Sequence, residues 1–392
     1  MLPLYRKLDS LIGGSLNDLV EIRRYIHQHP EPGFKEIGTA AIVHRELEAA
    51  GIEVSRIGST GVVGLLRGKG RRTVALRADM DALQMPEKTR LPYASVNRGC
   101  MHACGHDGHT ACLIGAARVL AAMRDRLAGN VKFIFQPAEE GDGGAAAMIA
   151  GGCMENPRVD AILALHGFPD LPLGTIAAGP GVVMAYADSM RIVVKGKGSH
   201  GAYPHMGRDP VVTACRIVEA LQTIVSREIH PAGAAVVTIA QFHAGTAFNI
   251  IPDLAEISGT IRALDDGVRR QIMEAVPRIV RHTAMASRCT ARVSFAGGYP
   301  ATVNDEKMAA LVTQVAQRVL GPDGARRQET TLGAEDFSLY LRKAPGCFFR
   351  LGLAEKRRPP AALHNPHFDF NDKALPIGVK VLSAVAMEYL AK

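Results

Sequence analysis

Ten consecutive positions, residues 101–110, carry the side chains with which proteins bind divalent transition metals. They include one thiol, three imidazoles and one carboxylate: Cys104, His102, His106, His109 and Asp107. Cysteine binds such ions as the thiolate, histidine as the neutral imidazole and aspartate as the carboxylate. A polar loop with a buried thiol and surface histidines is the alternative interpretation. Other parts of the sequence favour a metal site.

Two adjacent carboxylates, Glu139 and Glu140, follow a short apolar strand predicted at residues 131–135. Neighbouring carboxylates repel each other, so a fold tolerates them where solvent or a cation compensates their charge. Pro137 fixes the backbone just before the pair. One carboxylate can then bind a metal while the other positions a water and shuttles its proton. A solvated loop is the alternative.

His166 ends another apolar strand, predicted at residues 161–165, and His364 lies in a proline-containing loop. A core histidine and a surface histidine are the alternatives. With the motif and the glutamate pair they complete five candidate metal ligands: Cys104, His106, Glu140, His166 and His364. Five ligands are too many for one tetrahedral catalytic ion that keeps a position open for water. Two ions roughly 3.5–4 Å apart would use all five.

Other functional templates fail on their local context. Residues 196–201 match the glycine pattern of dinucleotide-binding loops, but the prolines that follow prevent the helix that such a site requires. His102 and His106 have zincin spacing, but Ala103 stands where that motif has glutamate. The sequence has no second pair of zinc-finger ligands and no Gly-x-Ser-x-Gly elbow. Nucleotide binding, a zinc finger and serine-hydrolase chemistry are therefore not expected.

Several predicted strands place a polar residue just beyond their C-terminal end. Asp79 and Asp81 follow a strand at residues 73–77, and the glutamate pair and His166 follow two later strands. Open α/β sheets bind their ligands at this edge. We therefore predict an α/β domain with a mostly parallel sheet flanked by helices.

The elements around these strands are predicted from periodicity. Helices are expected at residues 15–29 and 111–123, where apolar residues recur at helical spacing. Two strands, at residues 62–66 and 73–77, are expected to be joined by a Gly/Lys/Arg turn. The motif at residues 101–110 is expected after the loop that follows the second strand and directly before the helix.

From about residue 186 the order of predicted elements changes. A strand, a helix, two strands, a second helix and a last strand follow one another up to residue 298. The order βαββαβ is that of a ferredoxin-like α+β sandwich. Because the α/β pattern resumes afterwards, we predict an inserted domain at 186–298 within a domain formed by residues 1–185 and 299–392.

The composition agrees with two globular domains. Of 392 residues, 47% are hydrophobic and 21% charged. No apolar run reaches the roughly 18 residues of a membrane-spanning helix, and the first residues lack a secretion signal. Seven scattered cysteines are typical of a reducing compartment, so a cytoplasmic protein without a membrane partner is expected.

The net charge of +8 does not indicate a nucleic-acid partner. The basic residues occur in scattered pairs, and only 5% of the residues are aromatic. A mild positive field favours an anionic small-molecule substrate.

Taken together, these residues resemble the family of dinuclear amidohydrolases that includes hippuricase, the N-acyl-amino-acid amidohydrolases and the plant auxin-conjugate hydrolases. The matching blocks run through most of the chain in the family's order: residues 77–83, 101–110, 136–141, 165–167, 195–205, 259–262, 333–337 and 364–366. The resemblance implies a zinc-peptidase-like catalytic domain whose insert is a dimerisation domain, and therefore a homodimer.

The resemblance also implies roles for single residues. Two divalent ions would be held by Cys104, His106, Glu140, His166 and His364. Manganese, zinc, cobalt and nickel all suit such ligands. Glu139 would be the general base, and Asp81 would orient a ligand.

Three residues of the insert match family positions that contact the substrate. His200 would reach the active site of the partner subunit and stabilise the oxyanion. Asn249 and Arg262 would hold the substrate carboxylate, for which the planar arginine fork is suited; a surface or capping role is the alternative. The sequence departs from the family pattern at residues 84–87, where Gln-Met-Pro-Glu shifts the proline and changes the expected loop.

The activity that the resemblance implies is metal-dependent hydrolysis of the amide bond of N-acyl-amino acids such as hippurate. The products would be a carboxylic acid and an amino acid. A dipeptidase or aminopeptidase on the same scaffold is one alternative, and a metal-dependent binding protein without catalysis is another.

Overall fold

The computed structural model describes residues 2–141, 143–355 and 361–392. The chain forms two compact units. The large unit comprises residues 1–183, 303–329 and 336–392, and the small unit comprises residues 184–302 and 330–335. The small unit thus extends a few residues beyond both ends of the predicted insert, and a short later segment packs with it.

The helices are α1 (Leu2–Gln28), α2 (Ile37–Ala49), α3 (His106–Ala122), α4 (Gly144–Ala150), α5 (Pro210–Thr223), α6 (Asp266–Ala286), α7 (Glu306–Leu320), α8 (Ser338–Leu341) and α9 (Leu375–Leu390). The strands are β1 (Glu53–Ile57), β2 (Gly61–Leu66), β3 (Thr73–Asp79), β4 (Asn130–Gln136), β5 (Ala161–Pro172), β6 (Ile176–Ala178), β7 (Gly181–Met184), β8 (Tyr186–Lys195), β9 (Ser199–His200), β10 (Ala235–Ala244), β11 (Ile250–Ile251), β12 (Leu254–Ala263), β13 (Thr290–Tyr299), β14 (Thr302–Asn304), β15 (Ala325–Arg327) and β16 (Gly346–Ala354). Among the described helices, none combines the length and apolarity that crossing a bilayer requires.

Eight strands of the large unit form one sheet in the order β1-β2-β4-β3-β5-β16-β6-β15. The central strands β4, β3, β5 and β16 run parallel to their neighbours in this group. Every residue of β3 and β4 is buried, as expected for parallel strands covered by helices. Helix α3 packs against α1 and α9 in a shared apolar core. The predicted α/β class with a mostly parallel sheet is confirmed.

Strands β2 and β3 follow each other in the chain as predicted, but they do not pair, because β4 lies between them and pairs with both. The structure differs from the local predictions at the starts of two helices. Helix α1 begins at Leu2 instead of residue 15. Helix α3 begins at His106 instead of residue 111, so half of the metal-binding motif is helical.

Polar side chains meet at the edge of the sheet where β3, β4 and β5 end. Asp79 is the last residue of β3, and Gln136 is the last residue of β4. The first turn of α3 is tied to this edge, since Thr110 Oγ1 donates a hydrogen bond to Asp79 O at 2.9 Å. The candidate site therefore lies at the C-terminal ends of the parallel strands, where open α/β sheets bind their ligands.

The small unit contains a four-stranded antiparallel sheet in the order β10-β12-β8-β13. Helices α5 and α6 share one apolar core with this sheet. Residues of β12 alternate between buried and partly exposed positions, the pattern of a sheet with one covered face. The chain order βαββαβ confirms the predicted ferredoxin-like insert.

Candidate metal centre

The five predicted metal ligands come from separate segments of the large unit. Cys104 lies two residues before α3, and His106 is the first residue of that helix. His166 lies in β5, Glu140 follows β4, and His364 precedes α9. Donor atoms of Cys104, His106 and His166 lie within 4.8 Å of one another, and so do those of Cys104, Glu140 and His364. The structure brings the five side chains together; their binding of ions stays a prediction.

The turn between Cys104 and His106 depends on Gly105. Its φ of +93° is a left-handed conformation that glycine adopts without strain. A Cβ at this position would lie 3.2 Å from Phe370 Cδ2. Gly105 therefore allows the thiol and the imidazole to approach each other at the start of α3.

Contacts inside the cluster leave one nitrogen available. Cys104 Sγ lies 3.4 Å from His166 Nε2, and His364 Nε2 lies 3.0 Å from Glu140 Oε1. His106 Nδ1 lies 2.9 Å from the carbonyl oxygen of Asp81, to which it donates. His106 Nε2 is buried and has no hydrogen-bond partner among the described residues. An imidazole held in this tautomer has the lone pair that a metal ligand needs.

Burial and acidic neighbours together set the pKa values of the cluster. Burial raises the pKa of the Cys104 thiol well above the usual value, and the nearby Glu140 carboxylate raises it further. Burial lowers the pKa of His166 well below the usual value, so that imidazole is neutral. For His106 burial is outweighed by acidic neighbours, chiefly Asp79, which raise its pKa.

A divalent cation fits this cluster. The pKa values of the Cys104 thiol and of His106 are both raised, so both groups hold protons next to acidic side chains. A bound cation would supply positive charge in place of those protons. Thiolate, imidazole and carboxylate are the donors that zinc and similar ions select.

The loop that follows β4 holds a second acidic group beside the cluster. Asp81 accepts hydrogen bonds from two successive backbone N–H groups, those of Glu139 and Glu140, both at 3.0 Å. The Glu139 residue is only 8% exposed, and its Oε1 accepts a 3.4 Å hydrogen bond from the Asp336 N–H. Donor atoms of Glu139, Glu140 and His106 lie within 4.8 Å of one another. The structure therefore places both carboxylates at the cluster.

His109, the third histidine of the motif, is occupied inside the protein. Its Nε2 accepts a hydrogen bond from the Gly167 N–H at 2.7 Å, and its Nδ1 donates to Asp79 Oδ1 at 2.6 Å. Asp79 is held in turn by Arg77 Nη1 at 2.5 Å. His109 thus ties α3 to β5 one residue after His166. Nothing in the sequence distinguishes it from a metal ligand.

A second buried network joins α3 to α1. Asp107 forms ion pairs with Arg23 Nε and His27 Nδ1, both at 2.8 Å. Sequence reasoning assigned no role to Arg23 or His27. Their spacing could have indicated burial, because Arg23 and His27 follow Leu19 at four-residue intervals and so lie on the apolar side of the helix. Charges on a core-facing stripe need buried partners.

His102 differs from the other histidines of the motif. It is buried, and neither ring nitrogen has a hydrogen-bond partner among the described residues. Burial lowers its pKa to about 3, so the ring is neutral.

The small unit separates its three predicted substrate contacts. His200, in β9, is exposed, and Asn249 lies close to it because the Gly201 N–H donates to Asn249 O at 2.8 Å. Arg262 is near the opposite end of β12, eight residues beyond Leu254. At about 3.3 Å per residue this separation is about 26 Å. One small unit therefore does not bring Asn249 and Arg262 together.

The loop that departs from the family pattern keeps its connection to the motif. Leu83 and Met101 exchange backbone hydrogen bonds, both at 2.9 Å. Met85 N–H donates to Leu83 O at 2.9 Å. The shifted Pro86 follows this connection and leaves it intact.

An α/β sheet with clustered cysteine, histidine and glutamate donors at its edge, together with a ferredoxin-like insert, defines a metallopeptidase-like hydrolase. The chain belongs to peptidase family M20/M25/M40, whose family model matches residues 75–388. It is 39% identical over 378 residues to IAA-amino acid hydrolase ILR1-like 4 of Arabidopsis thaliana, covering 95% of this chain and 86% of that protein. It is 40% identical over 381 residues to thermostable carboxypeptidase 1 of Saccharolobus solfataricus, covering 95% and 96%.

A solved structure supports the same assignment. The YXEP protein of Bacillus subtilis, described as a dinuclear metal-binding peptidase, has a TM-score of 0.84 and 35% identity, covering 97% of this chain and 99% of that one. The resemblance inferred from the sequence motifs is confirmed at the level of the family. The protein is a hydrolase of this family.

Proposed function

We propose that the protein hydrolyses the amide bond of N-acyl-amino acids, hippurate or related conjugates, to a carboxylic acid and an amino acid. The observation that carries this proposal is Glu139, a buried carboxylate beside the clustered donors. The relative named IAA-amino acid hydrolase supports this substrate class. The net charge of +8 favours the approach of such anionic substrates.

Two divalent ions would be held by Cys104, His106, Glu140, His166 and His364. Manganese, zinc, cobalt and nickel suit this donor set, and the similar structure described as dinuclear supports two ions. When bound, the ions polarise the scissile carbonyl and lower the pKa of a water. Asp81 orients one of the proposed ligands, because its backbone carbonyl accepts a hydrogen bond from His106 Nδ1 and fixes the tautomer of that imidazole.

Glu139 takes a proton from the attacking water and later delivers it to the leaving amine. Glu140 is unsuited to this task, because its Oε1 lies 3.0 Å from His364 Nε2. His200 stabilises the negative charge that builds on the carbonyl oxygen. Asn249 and Arg262 hold the carboxylate of the substrate.

These substrate contacts call for two chains. His200 and Asn249 lie together, and Asn249 precedes β12 in the chain by five residues, whereas Arg262 lies about 26 Å from Leu254, the first residue of that strand. A carboxylate bound by Asn249 and Arg262 therefore takes one residue from each of two chains. This geometry supports a homodimer formed through the small unit. The free state of all seven cysteines supports a cytoplasmic location.

A peptidase is the second candidate function, because a relative 40% identical to this chain is named thermostable carboxypeptidase. A substrate panel on protein reconstituted with each of the four ions separates the candidates. Hippurate and other N-acyl-amino acids are compared with dipeptides that have a free amino group. We expect higher kcat/KM for the acylated substrates. A preference for free dipeptides would support a dipeptidase or aminopeptidase instead, and an inert metal-loaded protein a binding role.

The adjacent glutamates provide a matched pair of variants. Glu139→Ala is expected to keep the metal content of the wild type and to lose about a hundred- to ten-thousand-fold in kcat, the usual contribution of a general base. Glu140→Ala is expected to lower the metal content, measured by elemental analysis. Normal turnover by Glu139→Ala would remove it as the base.

A further inference from the structure

The backbone that carries Glu139 is held in an unusual conformation. Ala138, the residue before it, has a φ of +54°. This left-handed conformation crowds the Cβ of any residue except glycine. Ala138 keeps this strained conformation only if hydrogen bonds or packing contacts of the loop stabilise it over the alternatives.

One of these contacts comes from a residue more than a hundred positions earlier in the chain. The Oε1 atom of Glu36 accepts a hydrogen bond from the Ala138 N–H at 2.9 Å. The same oxygen accepts one from the N–H of Phe34 at 3.0 Å, and Phe34 also has a positive φ of +59°. One carboxylate oxygen therefore connects two left-handed residues from distant parts of the chain.

The contact extends a series of hydrogen bonds along the loop. Asp81 accepts from the next two N–H groups, those of Glu139 and Glu140. Three successive N–H groups, starting at Ala138, thus donate to two buried carboxylates. Charge-assisted hydrogen bonds of this kind are stronger than neutral ones and fix direction.

Glu36 does not cap helix α2 with its carboxylate. It is the N-cap residue of α2 but forms no capping hydrogen bond to it. Its neighbour Glu31 does that, accepting from the N–H groups of Gly38 and Thr39, each at 2.9 Å. Glu36 is fully buried, and burying a carboxylate is costly unless its hydrogen bonds repay the loss of water.

We propose that Glu36 is a positioning residue for the hydrolytic reaction: by fixing the left-handed turn at Ala138, it aims the Glu139 carboxylate at the attacking water. This inference rests on the proposed function of Glu139. Glu36 itself touches neither substrate nor the reacting atoms.

The test compares four variants of the full-length, metal-loaded protein. In Glu36→Ala we expect kcat on the best N-acyl-amino acid to fall on the order of 100-fold, the effect of a small misplacement of a catalytic group. The KM and the metal content per chain are expected to stay at wild-type values. Glu36→Gln keeps an oxygen acceptor and is expected to retain most of the kcat.

The matched control and a suppressor separate positioning from stability. Glu31→Ala removes the cap of α2 from the same loop, so it is expected to lower the melting temperature without changing kcat. Adding Ala138→Gly to Glu36→Ala is expected to restore roughly five-fold or more of the lost kcat, because glycine adopts the left-handed turn without strain.

Three results would overturn the inference: wild-type kcat in Glu36→Ala, an equal loss of kcat in Glu31→Ala, or no recovery on adding Ala138→Gly. Glu139→Ala is assayed in parallel. If that variant is active, the proposed function of Glu139 fails. If it is inactive while Glu36→Ala has wild-type kcat, only the positioning role fails.

Discussion

Two buried histidines of the same motif have opposite surroundings. Both nitrogens of His109 are hydrogen bonded, to the Gly167 N–H and to Asp79. Neither nitrogen of His102 has a hydrogen-bond partner among the described residues. The free energy lost on replacing a buried polar group depends mainly on whether its partners are left unsatisfied.

This contrast predicts different stabilities for His109→Leu and His102→Leu. The first change removes the hydrogen bonds that His109 makes to the Gly167 N–H and to Asp79 Oδ1, so the free energy of unfolding is expected to fall by about 2–5 kcal/mol. The second change leaves no described partner unsatisfied, so its loss is expected to be much smaller. Denaturant unfolding of both variants, each without added metal, measures the difference. Equal losses would contradict the assignment of the two environments.

At the level of residues, the sequence predicted which donor side chains come together. It did not predict the hydrogen-bond partners that fix the surrounding residues. Cys104 and His106 are close in the chain, and His166 lies in β5, which pairs in parallel with β3. Residue type therefore indicates these donors, and the pairing of β3 with β5 brings them together. The partners of His109 and Glu36 depend on contacts across 58 and 102 residues. No local pattern encodes such pairs, because any polar residue could serve.

Helices α1 and α3 are joined by charge as well as by apolar packing. Their contact includes apolar core residues of both helices. Arg23 and Asp107 lie within it with fully buried side chains, and Arg23 Nη2 also pairs with Asp369 at 2.5 Å. Removing one member of such a buried pair leaves the other charge uncompensated, which is more costly than replacing both.

This helix contact predicts a dependence of stability on pH. Burial opposes charging of His27, but hydrogen bonds to Asp107 and Glu87 outweigh it and raise its pKa from 6.5 to about 9. Because the pKa of His27 is higher in the folded than in the unfolded state, the charged imidazole stabilises the fold. This contribution to the free energy of unfolding is fully present below pH 6.5 and is lost as the pH rises through about 9. The size is about 3 kcal/mol for a shift of this magnitude.

The measurement compares the wild type with His27→Gln across this pH range. The difference in free energy of unfolding is expected to shrink as the pH rises, because only the wild type loses the charged imidazole. The comparison cancels the titration of all other groups that both proteins share. A difference that stays constant with pH would show that His27 is neutral in the fold.

Strands in the interior were predictable, whereas edge strands and pairing order were not. β3 and β4 are continuous buried runs that stand out in the sequence. β1 is exposed or half-buried at every position, so no apolar pattern indicates it. The insertion of β4 between β2 and β3 depends on a partner more than fifty residues away. Local periodicity does not carry that information.

For the whole molecule, the predicted substrate contacts of the small unit lie in two separate places. His200 and Asn249 lie beside each other before the start of β12 in the chain, and Arg262 lies about 26 Å from Leu254, the first residue of β12. If His200 and Asn249 of one chain serve the partner's site, as the family resemblance implies for His200, then the Arg262 of that site belongs to the partner. A two-fold dimer would then have two equal sites, each composed of both chains.

This arrangement predicts that two inactive variants restore activity when they are combined. Glu139→Ala would lack the proposed base, and His200→Ala would lack the proposed oxyanion contact. In a mixed dimer, one site receives Glu139 from one chain and His200 from the other. Random exchange of subunits then regenerates about a quarter of the wild-type sites.

Glu139→Ala combined with Arg262→Ala is the matched control and is expected to stay inactive, because both residues serve the same chain's site. Recovery is measured as turnover after co-refolding, with dimer formation checked by light scattering. If the His200→Ala mixture forms dimers without recovering activity, His200 does not act between chains.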